Sequence, residues 1–244
     1  MHKFRLNLQA IERSLRDVQR EFPKINEQLQ SRRDSMTDEV LANLLAGYRF
    51  VDQALANATD LLTPQYVTGL LELNHIVLCG LSPQIRQEHQ KHIEATAQRF
   101  YGQEAYNIDD ILAWYERHHG ESSWKRAAGV YVRILSQPQL YIEGNHRTGA
   151  LIMSYILAQD GTPPFVLTVD NAKAYFDPSS LVKATQKSAT TLLMKLPRMK
   201  KRFAQFLQEQ THPQYLQVVD GPTLPAQVAG TAALESLAPP APPC

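Results

Sequence analysis

Residues 139–150, QLYIEGNHRTGA, are the stretch of the 244-residue sequence that says most about the fold. They lie between two apolar segments with helical spacing, and their Gly-Asn pair precedes residues that can open a helix. The first amide groups of a helix have no acceptor inside it, and the helix dipole favours an anion there. We interpret the stretch as a phosphate-binding loop and helix start, although its local chemistry also fits an ordinary loop.

Four residues in this stretch suit an anionic ligand. Gly144 lets the backbone approach a ligand closely because it has no side chain. Asn145 and Arg147 provide donors to phosphate oxygens, and Glu143 can hold a Mg²⁺ ion that bridges those oxygens. The sequence therefore predicts a site for a phosphate-containing molecule, with Mg²⁺ as a cofactor when a nucleotide binds.

The same stretch resembles the motif of the Fic/Doc family, His-x-Phe-x-(Asp/Glu)-Gly-Asn-(Gly/Lys)-Arg-x-x-Arg. The flanking helices, expected at 127–135 and 151–157, fall where that family's fold places them, and the resemblance covers about residues 65–205. Tyr141 replaces the motif's aromatic residue, and four further positions match in fixed register: Glu143, Gly144, Asn145 and Arg147. The resemblance implies a mainly α, Fic-like helical domain.

Enzymes of this family mostly transfer AMP from ATP to a hydroxyl of a target protein, and relatives transfer UMP, phosphocholine or phosphate. The resemblance implies that Glu143 positions magnesium, that Gly144 and Asn145 hold the α-phosphate, and that Arg147 reaches the terminal phosphates. The expected partners are thus a nucleotide such as ATP, or another phosphate-containing small molecule, and a target protein. Further ligand contacts are expected from Gly149 and, at the base of the nucleotide, from Asn171 and Tyr175.

Three positions depart from the family's pattern. The histidine that acts as general base in the family is Gln139 here, and a neutral amide does not accept a proton near neutral pH. His146 follows the asparagine in place of a small residue or lysine, and the second arginine is Ala150. Loss of a general base costs roughly 10² to 10⁴ in rate, so AMP transfer is expected to be impaired or altered.

Three functions remain open at this point. The first is a pseudoenzyme that binds a phosphate-containing ligand and regulates a partner protein. The second is an active transferase that uses His146 or a substrate group as base, since a helix N-terminus disfavours the histidine cation. The third is a helical interaction scaffold. A restraining helix of the kind that inhibits many Fic proteins is matched only in part by residues 68–74, so Glu72 is either inhibitory or paired elsewhere.

The N-terminal region shows a heptad seam that predicts a long helix. Pro23 is expected to kink or interrupt that helix, and a second helix capped by Ser35 or Thr37 is expected to pair with it antiparallel. The seam either packs within the chain or forms a homodimer. Its members are Phe4, Leu8, Ile11, Leu15, Val18, Phe22, Ile25 and Leu29.

The remaining sequence predicts three regions and a minor strand. Residues 1–62 form the N-terminal helical pair, 63–210 the Fic-like domain, and 211–244 a Pro/Ala-rich disordered tail. The segment near 163–169 is β-like, and its proline pair places it at a sheet edge.

Charge and cysteine content indicate the cellular setting. Lys and Arg together number 25 and Asp and Glu 24, which does not favour a nucleic-acid partner. Two cysteines, no apolar signal segment and no apolar run of about 18 residues indicate a cytoplasmic protein without a membrane partner. Delivery as a secreted effector is the alternative.

Overall fold

The computed structural model describes residues 3–103 and 105–219, which form a mainly α structure. The predicted fold class and N-terminal helical pair are confirmed. The helices are α1 (Leu8–Gln28), α2 (Asp38–Ala56), α3 (Thr68–Cys79), α4 (Pro83–Glu88), α5 (Gln90–Tyr101), α6 (Ile108–Arg117), α7 (Ser123–Leu135), α8 (Asn145–Gln159), α9 (Ala172–Lys183) and α10 (Leu196–Gln210). A π-helical turn (Thr191–Lys195) precedes α10, a 3₁₀ turn (Pro213–Tyr215) follows it, and the strands are β1 (Lys3–Leu6) and β2 (Leu216–Val219).

Helices α7 and α8 form the centre of the fold. They run antiparallel, because Arg126 near the start of α7 pairs with Asp160 just beyond α8, while Gly149 packs against Tyr131. Every residue from 151 to 158 is buried, as expected of a helix that is apolar on all sides. Burial of a leucine or isoleucine side chain contributes roughly 1.5–3 kcal/mol, so the packing of this pair stabilises the position of α8 in the fold.

The heptad seam of α1 is buried inside the chain. Its buried members are Ile11, Leu15, Val18, Phe22, Ile25 and Leu29, whereas Phe4 lies in β1. The seam is therefore covered without a second copy. Pro23 lies on the exposed face and does not interrupt the helix, because water can satisfy the carbonyl that loses its partner there.

Helix α2 packs antiparallel to α1, as predicted. Gln19 bonds Asp38 at one end of the pair, and Arg5 pairs with Asp52 at the other. The Thr37 hydroxyl caps α2 by accepting from the Val40 amide. The inner face of α2 also packs on α8, so one hydrophobic core extends from Leu6 to Tyr215.

The β-like prediction for 163–169 is wrong. This segment is irregular, because protein side chains, not a neighbouring strand, satisfy its carbonyl groups. The Tyr48 and Ser154 hydroxyls both donate to the carbonyl of Phe165, and the Ser14 hydroxyl donates to that of Leu167.

The strands occur at the two ends of the described chain. β1 pairs antiparallel with β2, with Lys3 opposite Val219 and Leu6 opposite Leu216. The predicted start of the disordered tail at residue 211 is therefore wrong for residues 213–219, and residues 220–244 lie outside the described part. Between residues 3 and 219, leaving out 104, no helix combines the length and apolar character needed to cross a membrane.

Candidate functional site

The loop before α8 is held in a single shape by Gly144 and Asn145. Gly144 has a φ of +74°, and a Cβ there would lie 2.9 Å from Nδ2 of Asn74. The Asn145 side chain accepts from the Tyr141 amide at 3.0 Å and donates to the Tyr141 carbonyl at 2.8 Å. Asn145 is thus buried and braces the loop, in contrast to its expected role as a side-chain donor to phosphate.

Asn74 of α3 holds the loop before α8 through two hydrogen bonds. Its buried Nδ2 donates to the Glu143 carbonyl and to the Thr148 hydroxyl, both at 3.0 Å. These bonds connect both the loop and the first turn of α8 to α3. The first amide groups of α8, from 145 to 147, consequently have a defined direction at the end of the helix.

A cavity of about 450 Å³ lies at this helix start. Such a volume is within the usual range for small-molecule sites. Its walls come from the 139–147 loop, α1, α2, α9, the segment 165–167 and the linker between α1 and α2. Of the predicted residues, those that line it are Gln139, Glu143, Gly144, Asn145, His146, Arg147 and Tyr175.

Arg147 is a partly buried cation in this cavity. Its Nη1 donates to the Val77 carbonyl at 3.2 Å. Burial lowers the pKa of Arg147, while the carboxylates of Asp34, Glu143 and Glu39 oppose that shift. Arginine remains protonated in proteins, so this charge is held where an anion in the cavity can reach it.

His146 is neutral in the folded chain. Burial, then the charges of Arg33 and Lys183, lower the pKa of His146 to about 3. The neutral state expected from sequence therefore arises from burial and neighbouring cations more than from the helix dipole. Nε2 accepts from Arg33 at 3.1 Å, which leaves Nδ1 to donate to the Tyr131 hydroxyl at 3.3 Å.

Arg33 is a site residue that the sequence did not reveal. It belongs to the linker between α1 and α2, and its Nη2 also donates to the Ser180 hydroxyl at 2.7 Å and the Phe176 carbonyl at 3.2 Å. Asn26 bonds both backbone groups of Arg33. The Nε of Arg33 is buried and has no hydrogen-bond partner among residues 3–103 and 105–219. Only its proximity in three dimensions marks it as part of the site.

Gln139 lies in the cavity wall, near the α8 start. Its Nε2 donates to the Leu135 carbonyl at 3.1 Å, at the C-terminal end of α7. The position of the family's histidine thus belongs to the same cavity as His146 and Arg147. Ala150 also lines the cavity and leaves space where the motif has its second arginine.

Three other predicted contacts have structural roles. Asn171 is fully buried and bonds the Thr168 amide and the Val166 carbonyl, so it is not available to a nucleotide base. Gly149 packs against Tyr131, where a Cβ would come within 2.8 Å of the ring, and it does not line the cavity. Tyr175 does line the cavity, but its hydroxyl donates to the His146 carbonyl at 3.1 Å.

Glu72 is paired away from the site. Arg86 binds its carboxylate at 2.8 and 3.2 Å, and His75 lies 3.7 Å from it. Burial alone would raise the pKa of Glu72, but the bonds from His75 and Arg86 outweigh it and lower the pKa. The alternative of a differently paired glutamate therefore describes this residue.

Glu143 is an exposed carboxylate at the cavity wall. Asp34 lines the same cavity. No group of three or more His, Cys, Asp or Glu side chains in the described residues has the arrangement of a complete metal site. Mg²⁺ commonly binds to one or two carboxylates together with phosphate oxygens, so this donor set fits Mg²⁺ held jointly with a ligand.

Comparison with known proteins shows a structural similarity but no match in sequence. Models of known protein families do not match the sequence, and neither do curated proteins. Among solved structures, a Fic domain containing signaling protein from Bacteroides thetaiotaomicron is similar over 84% of this chain and 87% of that chain. The TM-score is 0.48 and the sequence identity is 15%.

Proposed function

We propose that this chain binds a phosphate-containing small molecule at the start of α8 and does not use it for efficient group transfer. The observation that carries the proposal is the convergence of the first α8 amides with Arg33, Arg147 and Lys183 on one cavity. Backbone amides at a helix N-terminus and arginine side chains both favour phosphate oxygens. The role that follows is that of a Fic-like pseudoenzyme or regulator whose ligand controls a partner protein.

Arg33 supports the proposal because it is a cation in the cavity wall with hydrogen-bonding capacity left. Its Nη1 carries two hydrogens, and one of them is donated to Nε2 of His146. The other can be donated to an oxygen of the ligand. Arg33 would then supply, from the α1–α2 linker, a positive charge that Ala150 does not provide.

Poor transfer activity is expected from the two residues best placed to act as a base. Gln139 is an amide and does not take up a proton near neutral pH. The Nε2 lone pair of His146 is occupied by Arg33, and its Nδ1 hydrogen faces Tyr131. A transferase that uses His146 would first have to displace Arg33.

The proposal includes Mg²⁺ as an ion that would bind together with the ligand. Glu143 would hold the ion together with phosphate oxygens of the ligand, and the ion would offset part of the phosphate charge. Binding of a diphosphate or triphosphate is therefore expected to be stronger with Mg²⁺ than without it. Glu143→Gln should remove that difference while leaving Mg²⁺-independent binding in place.

Isothermal titration calorimetry tests the proposal directly. Inorganic phosphate, pyrophosphate and ATP are titrated with and without Mg²⁺ into the full chain and into Arg147→Gln. Loss of a charge-assisted bond costs about 1.5–3 kcal/mol, so the affinity should fall roughly tenfold to a hundredfold. Arg16→Gln is the matched control, because Arg16 is exposed on α1 and pairs only locally with Glu12. Equal affinities in the wild type and Arg147→Gln would refute the proposal.

The transferase alternative has its own measurement. Incubation of the chain with radiolabelled ATP and a cell extract should give no labelled protein above the level seen with Glu143→Gln. Labelling that depends on both Glu143 and His146 would establish the transferase instead. The scaffold alternative requires the apolar seam of α1 to be exposed to a partner, but that seam is buried inside the chain.

A further inference from the structure

The cavity at the α8 start has two chemically different ends. One end carries the positive charges of Arg33, Arg147 and Lys183 beside the first turn of α8. The other end is lined by Leu15 of α1, Leu44 of α2, and Phe165 and Leu167 of the segment after α8. Phe22, Met36 and Val40 also line the cavity, and Phe22 lies near the charged end because it packs on Phe176, whose ring contacts Arg33.

The apolar end lies well along α8 from the phosphate end. Phe165, which lines the cavity, accepts a bond through its carbonyl from Ser154 at 2.6 Å. Ser154 is nine residues after Asn145, and a helix rises 1.5 Å per residue, so this bond lies about 14 Å along α8 from the start of the helix. Ala150 lines the stretch between them and continues the apolar wall.

The polar groups around the apolar end are already satisfied by the protein. The Tyr48 hydroxyl donates to the Phe165 carbonyl at 3.0 Å, and the same carbonyl receives the bond from Ser154. The Ser14 hydroxyl donates to the Leu167 carbonyl at 2.9 Å. Asn171, the residue expected to contact a nucleotide base, is occupied elsewhere. A nucleobase placed here would lose its hydration and gain few hydrogen bonds in return.

We infer that the ligand is an aliphatic phosphate ester, whose phosphate lies at the α8 start and whose hydrocarbon part fills the apolar end. This inference rests on the proposed function, because it names the class of phosphate-containing ligand for the same site. An alkyl chain has no hydrogen-bonding groups and would bury its surface against the leucine and phenylalanine side chains. A nucleotide is therefore expected to bind less tightly than an aliphatic phosphate ester.

A homologous series of ligands tests the inference. Inorganic phosphate, methyl, butyl and hexyl phosphate, AMP and hexanol are titrated by calorimetry into the full chain. Each added methylene that becomes buried should raise the affinity roughly threefold to fourfold, until the apolar end is full. AMP should bind no more tightly than methyl phosphate, and hexanol should bind more weakly than hexyl phosphate.

Variants at the apolar end separate the two parts of the ligand. Leu167→Thr and Leu44→Gln place polar atoms at partly buried positions of the wall. Both should weaken hexyl phosphate at least fivefold and leave inorganic phosphate unchanged, whereas Arg147→Gln should weaken both. Thermal unfolding of each variant verifies that the chain is folded.

The outcomes distinguish this inference from the proposed function. If all phosphate esters bind alike, or if AMP binds more tightly than hexyl phosphate, the aliphatic ligand is refuted while the phosphate site stands. If no phosphate compound binds, the proposed function itself fails. Vesicles that contain phosphatidic acid then show whether the ester is a lipid or a soluble molecule. If the chain co-sediments with the vesicles and hexyl phosphate prevents this, the ligand is a lipid. If the chain binds hexyl phosphate but does not co-sediment with the vesicles, the ligand is a soluble ester.

Discussion

Nη1 of Arg33 lies 3.1 Å from Nε2 of His146, although the two residues are 113 positions apart in the chain. This contact joins the α1–α2 linker to the first turn of α8. It places a cation at the proposed phosphate site and also occupies the nitrogen that a base would need. Both effects can be tested separately.

Arg33→Gln should weaken phosphate binding roughly tenfold to a hundredfold, because it removes a charged donor that lines the cavity. Arg32→Gln is the matched control, since Arg32 is the neighbouring residue and is exposed. Calorimetry with inorganic phosphate measures both variants. Arg33 would have no role in the site if the two variants bound phosphate equally well.

The stability of the chain should depend on pH through His146. Its pKa is about 3 in the folded chain, against an ordinary value of 6.5. Below pH 6.5 the unfolded chain therefore binds a proton that the folded chain does not. The free energy of unfolding should fall as the pH drops from 6.5 toward 3, by about 1.4 kcal/mol per pH unit, and this contribution is constant above 6.5.

Urea unfolding at a series of pH values on both sides of 6.5 measures this effect. His146→Gln should flatten the dependence, and His119→Gln, at an exposed position, should keep it. An unchanged slope in His146→Gln would show that other groups cause the acid sensitivity.

Gly144→Ala should destabilise the loop before α8. A φ of +74° costs a residue with a side chain about 1–2 kcal/mol, and the added Cβ would also press on Asn74. Phosphate binding should fall with it, because the α8 amides would turn away from the cavity. Gly120→Ala is the control, since nothing lies within 4 Å of a Cβ there. Chemical denaturation and calorimetry report the two effects, and equal stability of the two variants would contradict the prediction.

Glu72→Gln should lower the stability slightly and leave ligand binding unchanged. It weakens the pair with Arg86, which is partly buried, and a loss of about 1 kcal/mol is expected. An inhibitory glutamate would behave differently, because its removal would strengthen binding. Phosphate affinity measured in this variant therefore decides between the two roles.

The sequence predicted the parts of this fold that depend on local spacing. The seam of α1, the Thr37 cap of α2 and the Gly-Asn start of α8 are each encoded within a few neighbouring residues, and each occurs as expected. Gly144 was expected to allow the close approach of a ligand, and its positive φ is a second reason for a glycine at this position.

Local spacing does not predict contacts between residues that are far apart in the sequence. Arg33 has no local signal, and its role follows from the way the linker packs on α9. Asn145 and Asn171 were expected to contact the ligand, but each bonds to nearby backbone groups, because buried amides must find partners within the fold. The β-like segment had the composition of a strand and no partner strand.

The pairing of β1 with β2 imposes an order on biosynthesis. β1 leaves the ribosome at the very beginning of the described chain, but its partner is translated more than 200 residues later, in residues 216–219. The main-chain groups of β1 must remain hydrated or held by a chaperone during that time. This small sheet can therefore close only after helices α1 to α10 have been synthesised.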